Sequence, residues 1–476
     1  MKRQLLIILV CSLSVISACS VHERTAPEAM DERVSDLVRE GDDTSRPAVD
    51  WWLSFEDEML NQMVAQALAE NPTIDRAAAG VRKAEAFLAG QKAADLPGVN
   101  LTGSVGRART EGFMGGISNS WNLSAAATYE LDFWGKRQAL KAQRLLDRDS
   151  SLAAVSSAMI SVSAQVADTW YLLVERQAQL TLAEERVALK RERLEFVEQR
   201  YGRGTVLAEQ VYGGRLELAT EEANLVGYKA DLAVATHALG ALLNRKPGAL
   251  DETMGKLPNA SFPSMSPLAD ESLSSRLILG RPDMVQAMNQ VKKADEAVAV
   301  SLADRFPTFS LTAGYGRAGY DTGSMSGSGP VWNIGGNLLA PLLDWGARKS
   351  KVTADKAAFD ESMASYRSTA LSAFKEAEDA LSNYHHGEMA VALFEDALSS
   401  AVSTKAYVRS RYLEGASDYL SLISARISEN EAKGRLIANQ RMLLSYRIGL
   451  ARALGGSFSD SWAEHYVLKS MPPAAR

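Results

Sequence analysis

Apolar positions along the chain recur with two periods, seven and two. Leu145, Leu152, Met159, Val166, Leu173, Leu180, Val187, Leu194 and Tyr201 fall at every seventh position. After Gly202 and Gly204 the spacing resumes with Val211, Leu218, Leu225, Leu232 and Leu239. A sustained heptad puts one apolar stripe on a helix and drives supercoiled packing against other helices. Residues 136–201 hold neither proline nor glycine, so the pattern predicts one unbroken helix over 135–201, returning over 206–244. At about 1.5 Å per residue the first arm is roughly 100 Å long, more than a single compact core needs. Further on, Met363, Ala370, Ala377, Tyr384, Val391, Leu398 and Tyr412 predict a helix over 347–412. Leu422, Leu436, Leu443 and Leu450 predict its return over 417–455, with Glu429 interrupting the stripe.

The period of two marks strands. Trp121, Leu123, Ala125, Ala127 and Tyr129 alternate with Asn122, Ser124, Ala126 and Thr128. Phe309, Leu311, Ala313 and Tyr315 alternate likewise with Thr308, Ser310, Thr312 and Gly314. Such alternation predicts strands over 99–109 and 120–131 (within 99–131), and over 308–318 and 331–340 (within 308–340), apolar on one side and polar on the other. Segments of about 9–11 residues suit a tilted membrane strand, although a soluble hairpin has the same alternation. The Gly/Ser-rich stretches 110–119 and 319–330 read as exposed loops.

These parts come twice. With an offset of about 210 residues, Asn71-Pro72 matches Arg281-Pro282, Leu101-Thr102 matches Leu311-Thr312, and Gly106-Arg107 matches Gly316-Arg317. One residue further out of step, Trp134-Gly135 matches Trp345-Gly346, Arg200-Tyr201 matches Arg411-Tyr412, Gly204 matches Gly415, and Arg215 matches Arg426. A register held this long is a duplication. Repeat 1 spans 57–255 and repeat 2 spans 267–455, followed by a tail, 456–476. Short helical patterns at 57–69, 73–93, 267–279 and 283–303 open the copies.

The N-terminus reads as an export signal, 1–18: Lys2 and Arg3, then a short apolar run, then Ile16-Ser17-Ala18-Cys19. The run is too short for a stable membrane helix. Its end resembles a bacterial lipobox, which makes Cys19 the acylated first residue of an extended segment, 19–56. Ser20 rather than an aspartate follows, which by that resemblance favours the outer membrane. The only other cysteine, Cys11, leaves with the signal, so no disulfide is available. Net charge is −6 with cations scattered, which disfavours nucleic acid. Residues 150–167 lack charge, but six serines and Gln165 argue against a transmembrane helix there.

Trp51-Trp52, Phe55, Asp57, Leu60, Ala67-Leu68 and Asn71-Pro72, the junction Leu131-Asp132-Phe133-Trp134-Gly135-Lys136, and Arg411-Tyr412 with Gly415 together resemble the TolC-like outer-membrane efflux proteins. The likeness is to the NodT-type lipoprotein branch that works with resistance-nodulation-division pumps, and it covers almost all the mature chain. It implies an α+β membrane protein that forms a homotrimer. Four strands per chain would close a twelve-stranded outer-membrane β-barrel, continued by a long α-helical coiled-coil barrel with a mixed α/β equatorial belt. It implies passive conduction to the exterior, a periplasmic adaptor and an inner-membrane pump as partners, and no cofactor beyond the lipid on Cys19. By the same likeness the tips 200–206 and 411–417, with Arg200, Tyr201, Gly204, Arg411, Tyr412 and Gly415, meet the adaptor. Acidic rings that close such tunnels have their matching positions at Ser421 and Ser424, which departs from the pattern. Asp418 and Arg426 stand nearby as substitutes, and Tyr412, Tyr419 and Leu420 as an apolar plug.

Catalytic chemistry finds no support. His22, His237, His385, His386 and His465 lack zinc spacing and thiol partners. Gly202-Arg203-Gly204 lacks the strand and acid of a nucleotide site. Two other readings stay open: a duct for type I protein secretion, and a non-conducting coiled-coil envelope lipoprotein. The substrate is not legible.

Overall fold

The structure, a computed structural model, describes residues 21–26, 30, 50–111, 116–249, 262–263, 278–455 and 466–467. In chain order it contains α1 (Glu58–Glu70), α2 (Pro72–Ala94), β1 (Gly98–Thr110), β2 (Gly116–Leu131), α3 (Lys136–Gly202) and α4 (Ala208–Leu242). The same order then recurs in α5 (Pro282–Ala303), β3 (Thr308–Asp321), β4 (Ser326–Leu339), α6 (Ala347–Leu413) and α7 (Tyr419–Ala453). The signal 1–18, Cys19, most of the helix expected over 267–279 and all of the tail but 466–467 lie outside the described residues.

Two compact units divide the chain, with α3 and α6 running from one into the other. The first unit holds Gly80–Leu152 and Val285–Thr369 and is built on one antiparallel sheet of order β1-β2-β3-β4. Pairing is continuous from Gly98↔Thr128 to Thr110↔Gly116, from Leu131↔Phe309 to Asn119↔Asp321, and from Thr308↔Leu339 to Asp321↔Ser326. The hairpins of the two repeats thus share one sheet, and β1 and β4 are its edges. Each strand-to-helix junction is capped by an aspartate: Asp132 accepts from Gln138 N at 3.0 Å, and Asp344 accepts from Gly346 N at 3.0 Å and Arg348 N at 3.2 Å. Trp134 stacks on Phe306 at 4.7 Å and donates to Pro307 O at 2.6 Å, locking the first junction to the loop that enters β3. The described stretch 21–26 is tied to α5, where His22, Thr25 N and Ala26 N all reach the buried Asp295.

In the second unit the 3₁₀ turn Trp51–Phe55 buries Trp51, Trp52 and Phe55, with Phe55 edge-on to Tyr171 at 5.6 Å. Asp57 caps α1 and accepts from Trp170 Nε1 at 2.8 Å. The heptad face of α3 is the packed one: Met159, Val166, Leu173, Val187 and Leu194 are buried. Glu429, which interrupts the stripe of α7, is buried between Lys405 at 2.5 Å and Lys433 at 3.1 Å. Burial pushes its pKa up, but the two ammonium groups prevail and hold it below the usual glutamate value.

Two expectations need correction. The loops 110–119 and 319–330 are largely strand, because ladder bonds come from backbone groups whatever the side chain. The glycines there have a steric reason: a Cβ on Gly319 would lie 2.3 Å from the Trp121 indole, and one on Gly327 would lie 3.3 Å from the Tyr320 ring. Segment 19–56 is not wholly extended, since three aromatics drive the turn at 51–55 into the core. Helix α3 is long and apolar enough by composition to cross a membrane, but its apolar window is mostly buried inside the protein, Ser156 and Ser163 included.

Candidate functional site

Register sorts the sheet into two unlike faces. One carries the rows Val99–Ala127–Ala313–Ile334 and Leu101–Ala125–Tyr315–Trp332, with Tyr129–Leu311–Gly336 at one side and Gly103–Leu123–Arg317–Pro330 and then Val105–Trp121–Gly319–Ser328 at the other. The opposite face carries Asn100–Ala126–Gly314–Asn333, Thr102–Ser124–Gly316–Val331 and Ser104–Asn122–Ala318–Gly329. The apolar face is uncovered: Leu101 is 74% exposed, Ile334 80% and Val105 91%. A contiguous apolar surface of this kind is unfit for water and fits a lipid interior.

The two helical hairpins end in matching turns. Gly204 N donates to Tyr201 O at 2.9 Å and Thr205 N to Arg200 O at 3.0 Å. Gly415 N donates to Tyr412 O at 3.0 Å and Ala416 N to Arg411 O at 2.8 Å. Gly204 at φ +72° and Gly415 at φ +75° supply the left-handed residue on which this helix ending depends. Around the turns Tyr201, Tyr412, Leu207 and Leu413 are exposed.

Beyond the second turn the anticipated gate residues converge on α3. Asp418 caps α7, accepting from Ser421 N at 2.8 Å. The Ser421 hydroxyl and N–H, with Arg200 close by, hold the Asp418 carboxyl below its usual range. The Tyr419 hydroxyl donates to Glu192, and Arg426 reaches the other oxygen of that carboxylate at 3.2 Å. The hydrogen bond to Glu192 raises the Tyr419 pKa, so the phenol keeps its proton. Tyr419 also packs edge-on to Phe196 at 5.3 Å and lies 5.5 Å from Tyr412. Leu420 packs against Leu194, Val197 and Val211. Ser421 and Ser424 are exposed. Glu192 and Phe196 escaped the sequence reading. Their counterparts in repeat 2 are Ser403 and Tyr407, so the duplication could not flag them.

A second polar layer crosses the helices: Arg186 bonds Glu221 at 2.6 Å and Asn430 at 3.1 Å, and Asn430 bonds Glu185 at 2.8 Å. Among the described residues no three potential metal-ligating side chains come together.

A family model described as "Outer membrane efflux protein" matches residues 63–245 and 273–456, one match for each repeat. The chain belongs to that family. It is an outer-membrane efflux channel protein of the TolC-like kind. Similar relatives include the pyoverdine export outer membrane protein OpmQ of Pseudomonas aeruginosa, 25% identical over 86% of this chain and 88% of that one. Nodulation protein T of Rhizobium leguminosarum bv. trifolii is 24% identical over 95% and 94%. The crystal structure of the Campylobacter jejuni CmeC outer membrane channel shares the fold, with a TM-score of 0.77 at 21% identity over 92% of this chain and 95% of that one.

Proposed function

We propose that three copies of the chain form one continuous conduit, the passive outer-membrane exit of a tripartite pump for small molecules. The observation that carries this reading is the four-stranded sheet with one bare apolar face, one polar face and two unpaired edges. In lipid every backbone group needs a partner, so β4 of one copy must pair with β1 of the next until the ring closes. Helices α4 and α6 expose Leu216, Val226, Leu393 and Val402, residues that packing between neighbouring copies would cover.

The exposed apolar side chains at the tips, Leu207 and Leu413 beside Tyr201 and Tyr412, support docking of a periplasmic adaptor there, with a resistance-nodulation-division pump behind it. An acylated Cys19 would anchor the chain from the periplasmic leaflet. Closure rests on the clamp of Tyr419 and Arg426 on Glu192 rather than on acidic rings, since Ser421 and Ser424 carry no charge. The clamp keeps the start of α7 against α3, and parting the two would widen the bore.

Planar-bilayer recording of the purified protein tests this. Small, rarely open conductance is expected from the native chain, and frequent opening from Tyr419→Phe combined with Arg426→Ala. If neither form ever opens, the protein is a scaffold rather than a duct. For the anchor, unchanged acyl labelling of a Cys19→Ala variant would exclude lipidation at that residue.

A further inference from the structure

The outward side of the sheet changes character at its loop end. The strands carry five charged residues, Arg107, Arg109, Glu130, Arg317 and Asp321. By register all three arginines lie on the apolar face, Arg107 and Arg109 beyond the Trp121 row and Arg317 in the Leu123 row, one row inside it. None of them makes an ion pair among the described residues. Arg107 stands opposite Asn119, which stands opposite Asp321, and Trp121 lies one row nearer the centre. On the polar face at the same height the residues are uncharged: Ala108, Ser118, Ser120, Gly316 and Ala318.

Unpaired guanidinium groups on the outer side of a barrel cannot serve the cargo passing inside. Arg107 and Arg109 stand where the head groups of the outer leaflet begin, since the apolar band beneath them ends at Trp121, and Arg317 lies one row inside that border. Beside them a cleft of about 500 Å³ is walled by Trp121, Asn119, Asp321, Ser326 and Ser328, within the size range of small-ligand sites. An indole face suits the apolar side of a sugar ring, and the amide, hydroxyl and carboxylate groups suit its hydroxyls. Asp321 already accepts from Gly323 N at 2.8 Å with Oδ1, leaving Oδ2 for a hydroxyl donor. Guanidinium forks pair with phosphate by two hydrogen bonds, and Arg317, set deepest, can carry its charge outward along its stem.

We propose that this rim is a binding site for a phosphorylated, glucosamine-based glycolipid head group of the outer leaflet: Arg107, Arg109 and Arg317 hold the phosphates and Trp121 stacks on the sugar. The proposal rests on the membrane placement of the sheet given above. It makes the outer surface of the barrel select its lipid neighbours, in addition to conducting through its centre.

Native mass spectrometry of the purified full-length protein tests it with four probes: bisphosphorylated lipid A, the same lipid dephosphorylated, phosphatidylglycerol and inorganic phosphate. The intact protein should retain lipid A in preference to the other two lipids. Arg107→Gln with Arg317→Gln should weaken retention about tenfold or more, and Trp121→Ala about fivefold, the scale of lost charge-assisted bonds and stacking. Equal retention of all three lipids, or unaltered retention by the arginine variant, would overturn the proposal. Displacement of lipid A by millimolar inorganic phosphate would also overturn it, by revealing a plain anion site. The same preparations are to be recorded in bilayers. A conducting trimer with no lipid preference sinks the glycolipid site alone, whereas a chain that neither trimerises nor conducts sinks the reading beneath it.

Discussion

The two helical hairpins share their length and their turn, yet equivalent positions on them make different contacts. Both outgoing arms are 67 residues and both returning arms are 35. Hairpin 1 closes on itself, with an apolar seam where Leu218 joins Leu194, Val197 and Val211, and with ion pairs between its own arms, Arg215 to Glu198 at 2.8 Å, Arg186 to Glu221 at 2.6 Å and Lys190 to Glu217 at 2.9 Å. At the matching position of hairpin 2 stands Glu429, clasped by Lys405 and Lys433, while Arg426, the counterpart of Arg215, reaches out of its hairpin to Glu192. Burial follows the same division. Along α7 eleven residues are buried, against four along α4, which turns much of its apolar surface outward. Duplication has preserved the backbone and reassigned the contacts. Copy 1 keeps its bonds between its own arms, whereas copy 2 sends Tyr419 and Arg426 across to α3, through bonds that can be released if α7 moves.

That division can be broken from either side. The largest effect is expected where the seam is apolar. Leu218→Glu places a carboxylate there with no lysine pair and should cost about 2–3 kcal/mol in urea unfolding. The reverse change, Glu429→Leu, should cost less, since Lys405 and Lys433 are partly exposed and can turn to water once their carboxylate is gone. A neutral Leu218→Glu would mean that hairpin 1 has no such seam. Next comes gating: Tyr419→Phe with Arg426→Ala removes both donors to Glu192 and should raise open probability about tenfold in single-channel records. Arg215→Ala, its counterpart in hairpin 1, should change it less than about twofold, because exposed pairs contribute little.

A smaller effect separates the returning helices at their first turn, where Asp418 caps α7 and Leu207 leaves α4 without a side-chain cap. Asp418→Ala should cost about 1 kcal/mol locally, seen as roughly fivefold faster amide exchange at the start of α7. Leu207→Asp should slow exchange at the start of α4 by a similar factor. The smallest effect is the pH dependence of that contrast. A carboxyl held below its ordinary value of 3.8 contributes stability that is complete above that value and fades as pH falls through the folded one. Exchange at the two tips should therefore converge in strong acid and differ steadily at neutral pH.

Most of this architecture is legible in the residues, and the exceptions have physical causes. The long arms declare themselves because nothing but a helix-on-helix seam sustains a heptad through Leu145, Leu152, Met159 and Val166. The strands declare themselves by alternation only where both side chains carry polarity. Near the loops glycine and serine erase the signal, although backbone pairing continues beneath Trp121 and Tyr320. The tips were visible through Gly204 and Gly415. Glu192 was not, because a lone acid on a charged helix is indistinguishable from a solvated surface residue until α7 is laid beside it. Glu429 could be seen to interrupt the stripe, but its lysine partners depend on the distance between helices, which no periodicity encodes.

Closure of the sheet between copies is the claim on which everything else stands, and engineered cysteines along β1 and β4 test it most directly. Cys11→Ser and Cys19→Ser remove the chain's own two thiols from the experiment. At one register of paired positions, oxidation should convert the denatured protein into a covalent trimer. Only monomers at every register, or a chain that stops at the dimer, would contradict a ring closed by three.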